Sequence, residues 1–196
     1  GNVIGGGDWA LDRIVPDCIR ALEKGETIPV RNKVATRPWQ HVLEPLSGYL
    51  WLGAALAAPQ ASGLHFPPAT YQSAFNFGPA LASNKTVAEL VQEILKHWPG
   101  EWADKSDPHA LHEAKLLNLA TDKAHHFLGG RRISTKAEPI AQPVRWYREA
   151  GGGQATDAAR EVGAHGAIHA LTTSQITEYT TAARLAGIAW ATAGKS

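Results

Sequence analysis

The sequence lacks three features that would each have indicated a class of protein. Only one of its 196 residues is a cysteine, Cys18, so no internal disulfide can form and a reducing compartment fits. Nineteen basic against 18 acidic residues give a net charge of +1, which offers no bulk attraction to nucleic acid or to a membrane surface. The longest run of apolar residues and glycine, from Tyr49 to Ala58, is far shorter than the ~20 residues of a membrane-spanning helix. We therefore expect a cytoplasmic protein without nucleic-acid or membrane partners.

The sequence also lacks the short motifs of several enzyme classes. No Gly-rich turn of the dinucleotide-binding kind is present, and no Gly-x-Ser-x-Gly nucleophile motif. The segment Gly5-Gly6-Gly7 is followed by no Lys-Ser or Lys-Thr, and no strand pattern is visible before it. This segment is therefore interpreted as a flexible loop over a substrate.

The patterns that are present predict an α/β protein with one ordinary hydrophobic core. Apolar residues recur at helical spacing from Ile14 to Leu22, Pro16 suits the first turn, and Gly25 suits a C-terminal cap. Further patterns predict a strand over 27–31, a buried helix over 44–58, a strand over 74–77, a helix that begins with the capping box Thr86 to Glu89, short helices over 121–129 and 137–149, the first of them capped, and a last helix containing Ile176, Tyr179 and Ala183.

Four segments occur in an order that is typical of one enzyme family. They are Gly-Asn-Val-Ile-Gly at Gly1, Arg-Ile-Val-Pro at Arg13, Arg-Pro-Trp-Gln-His-Val at Arg37 and Phe-Asn-Phe-Gly at Phe75. Together they resemble the extended short-chain dehydrogenases/reductases, and their wording is most similar to the CDP-glucose 4,6-dehydratases within that family. The resemblance implies the substrate-binding C-terminal portion of such an enzyme, with an incomplete Rossmann-type sheet. Residues 1–150 would be the nucleotide-sugar-binding portion, and residues 151–196, which depart from the family pattern, a helical tail.

The resemblance implies a lyase that removes water from CDP-glucose to give the CDP-4-keto-6-deoxy sugar. NAD would accept a hydride from sugar C4, water would leave across C5 and C6, and the hydride would return to C6. In the family, the NAD fold and a catalytic Tyr with Lys four residues later precede the segment at Gly1. None of the four tyrosines here has a lysine at that spacing. We therefore assign no catalytic or cofactor-binding residue to this chain and expect it to be inactive alone.

Arg37 is the first candidate for substrate binding. A guanidinium presents a fixed fork of donors that matches phosphate oxygens, and Pro38-Trp39 stiffens its approach. The residues alone favour a surface arginine that stacks on Trp39 or pairs with Glu44. The resemblance implies that Arg37 contacts the diphosphate of the nucleotide sugar.

The other candidates follow from the same motifs. Asn2 and Asn76 end short apolar segments, where an amide either secures a turn or donates to a phosphate or sugar oxygen. The resemblance implies diphosphate contacts for both, and a frame around the nucleotide base formed by a helix start and a strand end. The remaining candidate residues are Arg13, Ile14, Val30, Arg31, Asn32 and, near the mouth of the site, His112.

Other functions stay open at this point. A metal site is not expected at His109, His112 and Glu113 or at the pair His125-His126, because the spacing is not that of the two-histidine helix motif of zinc proteases and no cysteines support a structural site. One alternative is another nucleotide-sugar epimerase or dehydratase of the same family, and a second is a non-catalytic binding or assembly module. The sequence also leaves a homo-oligomer open.

Overall fold

The computed structural model describes residues 2–57, 66–79, 84–107, 118–128, 140–150 and 164–192. Within these ranges the chain is α/β, with two small sheets and eight helices around two hydrophobic clusters. None of these helices combines the length and the apolar content that crossing a bilayer requires. The elements are β1 Asn2–Ile4, α1 Ile14–Lys24, β2 Ile28–Val30, β3 Thr36–His41, α2 Leu43–Ala57, α3 Pro68–Tyr71, β4 Asn84–Thr86, α4 Val87–His97, β5 Trp102–Asp104, α5 Asp122–Phe127, α6 Ala141–Glu149, α7 Ala164–Leu185 and α8 Ala189–Thr192.

The larger sheet places the first motif beside the third. Its strand order is β1-β3-β4, with β1 parallel to β3 and β4 antiparallel to β3. Asn2 lies opposite Trp39, so Arg37 is only two residues from the partner of Asn2. In the smaller sheet β2 runs parallel to β5, with Ile28 opposite Trp102. Parallel neighbours need a crossover connection, and α1 with β2 supplies the one between β1 and β3.

Two clusters of buried side chains divide the apolar interior. The first cluster packs the faces of α1, α4 and α6 against the strands, and the second cluster packs α2 against the helices of the tail. The buried members of the first are Ile4, Val15, Cys18, Ile19, Ala21, Leu22, Ile28, Val30, Trp39, Leu90, Val91, Ile94, Ile140, Val144 and Tyr147. Those of the second are Trp51, Ala55, Tyr71, Leu128, Tyr179, Ala183, Ile188 and Ala191.

The helix ends with local sequence signals form as predicted. Gly25 adopts a left-handed conformation (φ 67°) at the end of α1, and the amides of Gly25 and Glu26 close the last turn by donating to carbonyls of that turn. At the start of α4, Thr86 Oγ1 accepts from Glu89 N (3.1 Å) and Glu89 Oε2 accepts from Thr86 N (2.7 Å). The predicted capping box, the strand over 27–31 and the last helix are thus confirmed.

The strand predicted over 74–77 is wrong. This segment is irregular and has no ladder partner among the described strands. Its alternating pattern serves packing instead, since the Phe77 ring meets Tyr49 edge-on at 5.3 Å. Two hydrogen bonds hold the segment. Gln40 Nε2 donates to the backbone carbonyl of Phe77 (3.3 Å), and the side-chain amide of Asn76 donates through Nδ2 to Ala120 O (3.2 Å).

Three helices form with details that differ from the expectations. α2 is only half buried, because four large apolar residues on it are exposed. α5 forms without a side-chain cap, since Thr121 is not in the extended conformation that capping requires (φ −108°, ψ 2°). α6 begins at Ala141, so Pro143 lies in the first turn, where a missing N–H costs no bond within the helix. Residues 137–139 and the loop 151–153 lie outside the described residues.

Candidate functional site

A cavity of about 910 Å³ lies between the larger sheet, the start of α1 and the end of β2. Its size is that of a site for a ligand larger than a single sugar. One wall is formed by the paired strands β1 and β3 with the loop that follows β1, and the other side by the start of α1 and the turn after β2. The lining residues are Asn2, Val3, Ile4, Gly5, Asp8, Leu11, Asp12, Arg13, Ile14, Val15, Pro16, Asp17, Pro29, Arg31, Asn32, Ala35, Arg37, Trp39, Val87 and Tyr147.

Six of the nine predicted binding residues line this one cavity. They come from four stretches of the chain, at residues 2, 13–14, 31–32 and 37, which the parallel pairing of β1 with β3 and the crossover through α1 and β2 bring together. The six are Asn2, Arg13, Ile14, Arg31, Asn32 and Arg37.

The other three predicted residues do not line the cavity. The side chain of Val30 is 0% exposed and belongs to the first cluster, so its contact with the nucleotide base stays a prediction that only its backbone could fulfil. Along β2, Ile28 and Val30 point inward while Pro29 points outward, as strand alternation requires. Asn76 lies away from the cavity and bonds Ala120 O instead. His112 lies outside the described residues.

Arg37 lies on the cavity wall formed by β3. It shares one face of the strand with Trp39 two residues later, and both line the cavity. Its Nη1 donates to Thr36 O (3.0 Å), which fixes the guanidinium near its own backbone. Trp39 is buried, and its Nε1 donates to Lys85 O (3.2 Å), so the ring is a fixed neighbour of the guanidinium.

Arg31, on the opposite wall, already has two acidic neighbours. Its Nη2 lies 2.8 Å from Asp12 Oδ1 and 3.6 Å from Asp17 Oδ2. The hydrogen bond and the charge of Asp12 raise the pKa of Arg31 above its ordinary value. Asp17 in turn holds Arg20. An anionic ligand near Arg31 would therefore have to share or replace these carboxylates.

The first turn of α1 forms part of the wall between the two arginines. Arg13 is the N-cap residue, with an extended backbone (φ −112°, ψ 130°) and no side-chain cap bond. The amides of Ile14 and Val15 have no acceptor within the helix, whereas Pro16 has no N–H to satisfy. These amides and the positive end of the helix dipole favour a negatively charged or acceptor-rich ligand at this end of the cavity.

The Gly5-Gly6-Gly7 segment is a loop packed against Trp146 of α6, so its interpretation as a flexible loop is corrected. It follows β1, so a strand does precede it. A Cβ on Gly6 would lie 2.1 Å from Trp146 Cδ2, so only glycine allows the indole of α6 to pack there. Gly7 has a positive φ of 82°, a second reason for glycine. Local sequence patterns do not predict these contacts, because Gly6 and Trp146 are about 140 residues apart in the sequence.

Three buried groups with strongly shifted pKa values, His41, Cys18 and Tyr147, are uncharged at neutral pH. Burial lowers the pKa of His41 to about 4, and its Nδ1 accepts from Leu43 N (3.3 Å). Burial raises the pKa of the Cys18 thiol and of the Tyr147 hydroxyl to about 12 each. None of the three is therefore poised near neutrality for acid/base chemistry. In the described part of the chain no three metal-ligating side chains come together.

Comparison with known proteins agrees with the motifs. No protein-family model matches the chain. The chain is 38% identical over 150 residues to the CDP-glucose 4,6-dehydratase of Salmonella typhimurium. The match includes 76% of this chain but only 39% of the relative, which is consistent with a portion of such an enzyme. The resemblance stated from the motifs is thereby confirmed: over most of its length the chain is similar to a CDP-glucose 4,6-dehydratase.

Proposed function

We propose that the chain is the nucleotide-sugar-binding, C-terminal part of an NAD-dependent CDP-glucose 4,6-dehydratase of the extended short-chain dehydrogenase/reductase family. The catalytic residues and the NAD fold would lie in another part of the same protein. This part would hold CDP-glucose in place, and such positioning supplies a large share of the rate in reactions of bound substrates. The product would be the CDP-4-keto-6-deoxy sugar.

The observation that carries this proposal is the single cavity shared by six of the predicted residues, which come from four stretches of the chain. Its chemistry suits a nucleoside diphosphate. Arg37 offers a guanidinium on one wall, and the first amides of α1 offer donors on the next. Arg31 already holds Asp12 and Asp17, so we assign the diphosphate to Arg37 and the nucleoside side of the cavity to Arg31.

The described residues do not fit NAD. Its pyrophosphate needs a Gly-rich turn whose backbone a phosphate can approach. The Gly5–Gly7 segment is the one that follows a strand, but the Trp146 ring fills the space against it. No step of the reaction is therefore assigned to NAD through residues of this part of the chain.

Cytidine would be preferred over uridine because the cavity presents acceptors at the end of β2. Asn32 lines the cavity, and its Oδ1 accepts from Ala35 N (3.1 Å). Pro29 faces outward and has no N–H, so at this position the backbone can only accept. The amino group of cytosine can donate a hydrogen bond to such acceptors. The carbonyl of uracil at the same position is itself an acceptor and cannot. An unpaired buried group costs about 1 to 3 kcal/mol.

The test is made on the complete gene product. It should bind CDP-glucose more tightly than UDP-glucose by about ten- to a hundredfold in competition, and form the 4-keto-6-deoxy sugar when NAD is present. The chain of 196 residues alone should form none of that product. Equal or reversed base preference would favour another nucleotide-sugar enzyme of the family. Binding by the complete gene product without turnover would favour the non-catalytic module.

A further inference from the structure

Tyr147 connects α6 to the loop that forms one wall of the cavity. Its hydroxyl accepts a hydrogen bond from Asp8 N (3.1 Å), and the hydroxyl proton faces two carbonyls, Asp8 O at 2.8 Å and Gly5 O at 3.2 Å. Tyr147 is 1% exposed, and its ring meets Trp9 edge-on at 5.1 Å. One buried side chain thus satisfies backbone groups at both ends of the Gly5–Asp8 loop.

Trp146, the residue before Tyr147 on α6, contacts the same loop. The indole lies against Gly6 so closely that no side chain fits there. Its Nε1 donates to Thr172 Oγ1 on α7 (2.9 Å), which fixes the plane of the ring. A second bond joins the same two helices, from Gln175 Nε2 to Gln142 O (3.1 Å). The loop is therefore backed by α6, and α6 by the helix of the tail.

We infer that Tyr147 is a positioning residue: its hydroxyl fixes the Gly5–Asp8 loop so that the loop, with Asn2 before it and Asp12 after it, keeps the shape of the nucleotide-binding cavity. Tyr147 itself lines the cavity, but the burial that keeps its hydroxyl protonated excludes it as a base at neutral pH. Its effect on the ligand acts through the loop. The inference rests on the proposed function for the identity of the ligand, but not for the contact itself.

The inference also gives the tail a role. Residues 164–185 form α7, outside the part of the chain that carries the family motifs. Through Thr172 and Trp146 this helix reaches the cavity loop in two contacts. A change in α7 that moves Trp146 should therefore be felt in the cavity, although α7 does not line it.

The test compares two tyrosine-to-phenylalanine variants of the complete gene product. Tyr147→Phe removes the hydroxyl and keeps the ring. Tyr71→Phe is the matched control, because Tyr71 is also 1% exposed and its hydroxyl has no hydrogen-bond partner within the described residues. CDP is titrated by calorimetry, and exchange of the Asp8 amide is followed by NMR.

Tyr147→Phe should weaken CDP binding by about three- to tenfold, the range of one neutral hydrogen bond, and speed exchange of the Asp8 amide by a similar factor. Tyr71→Phe should change neither. Faster exchange with unchanged CDP affinity would overturn the role in binding, and equal losses in both variants would reduce it to general stability. If the unsubstituted protein does not bind CDP, the proposed function is wrong. The exchange rate of the Asp8 amide in the two variants still tests whether the Tyr147 hydroxyl fixes the loop.

Discussion

The first and second clusters differ in how completely their helices are covered. In the first, the apolar faces of α1 and α4 are buried against strands, and the polar groups of the adjacent loop are paired by Tyr147. In the second, the indole nitrogen of Trp51 and the hydroxyl of Tyr71 are buried without a hydrogen-bond partner among the described residues. Buried polar groups are normally paired, so the aromatic members of the second cluster are less completely bonded than Trp39 and Tyr147 of the first.

The outer face of α2 shows the same difference. Leu46, Tyr49, Leu50 and Leu56 are exposed and recur at helical spacing, so they form one stripe. We call these four residues the α2 stripe. β1, at the edge of the larger sheet, has no partner on its outer side among the described strands. An apolar stripe and an open sheet edge are both typical of surfaces that another chain segment covers.

The comparison indicates where the rest of a longer protein would pack. The part of the chain that surrounds the cavity has its own packed core, whereas the α2 stripe offers apolar surface to something else. Since the chain spans 39% of the relative's length, we expect the proposed remainder of the enzyme to pack on the α2 stripe. Variants in the two regions test this difference, from the largest expected effect to the smallest.

The first prediction contrasts a residue of each region. Ile19→Ala, at a site in the first cluster that is 0% exposed, should lower the free energy of unfolding by about 2 to 5 kcal/mol, because it leaves a cavity in packed side chains. Leu50→Ala, on the α2 stripe and 54% exposed, should change it by less than about 0.5 kcal/mol when both variants are measured dilute enough to prevent association through the stripe. Urea unfolding of both variants measures this. Similar losses would mean that the α2 stripe is covered in solution.

The second prediction concerns the cavity. Arg37→Ala in the complete gene product should weaken CDP-glucose binding by about 1.5 to 3 kcal/mol, the range for a hydrogen bond to a charged group, and leave NAD binding nearly unchanged. Arg145→Ala is the control, since Arg145 pairs with Glu149 (2.6 Å) on α6 and does not line the cavity. Calorimetric titration with each ligand decides it. An unchanged affinity for CDP-glucose would return Arg37 to the role of a surface arginine.

The third prediction concerns association of the 196-residue chain. With the α2 stripe exposed, the chain alone should self-associate or be loosely folded, and Leu50→Glu should shift it toward monomer by placing a charge in the stripe. Leu185→Glu is the control, because Leu185 is exposed at the end of α7, outside the stripe. Light scattering and sedimentation measure the shift. A sharp, cooperative melt of an unsubstituted monomer would show a self-sufficient domain instead.

The sequence predicted those parts of the fold that local chemistry determines. Gly25 ends α1 and Thr86 begins α4, because a left-handed turn and a capping oxygen are properties of single residues. The segment 74–77 was predicted as a strand because alternation cannot tell a ladder from a stretch whose aromatic rings pack on a helix. The contact between Phe77 and Tyr49 of α2 decides between the two, and residues close to Phe77 in the sequence do not predict it.

The same limit applies to the candidate site. Motif order was enough to group Asn2, Arg13 and Arg37, which line one cavity. Val30 was included because it stands in the motif, although the alternation of β2 could have assigned the outward position to Pro29. Tyr147 was not found, because nothing near it in the sequence signals a hydroxyl that bonds residues 5 and 8.

The fourth prediction has the smallest effect and tests a local feature of the first region. Thr86→Ala should lower the free energy of unfolding by about 0.5 to 2 kcal/mol, because it removes the oxygen that caps α4. Thr121→Ala is a matched control, since Thr121 stands at the start of α5 without a side-chain cap bond. Its effect should be close to zero, and thermal or urea unfolding compares the two. Equal effects would mean that the capping box contributes nothing in solution.

The same cap predicts a pH dependence through Glu89. Hydrogen bonds from Thr86 lower the pKa of Glu89 below its ordinary value, so the folded state binds its proton less readily than the unfolded state does. The resulting stability is present above the ordinary glutamate pKa of about 4.3 and is lost as the pH falls toward the lower folded value. Thr86→Ala removes the hydroxyl that donates to Glu89 but keeps the backbone amide that does so, so it should narrow in part the difference in stability between neutral solution and pH below about 4, while Thr121→Ala should leave that difference unchanged. A pH series of urea unfolding curves for both variants provides the comparison, and the contribution of the Thr86 hydroxyl to the low pKa of Glu89 would be refuted if Thr86→Ala kept the full pH dependence.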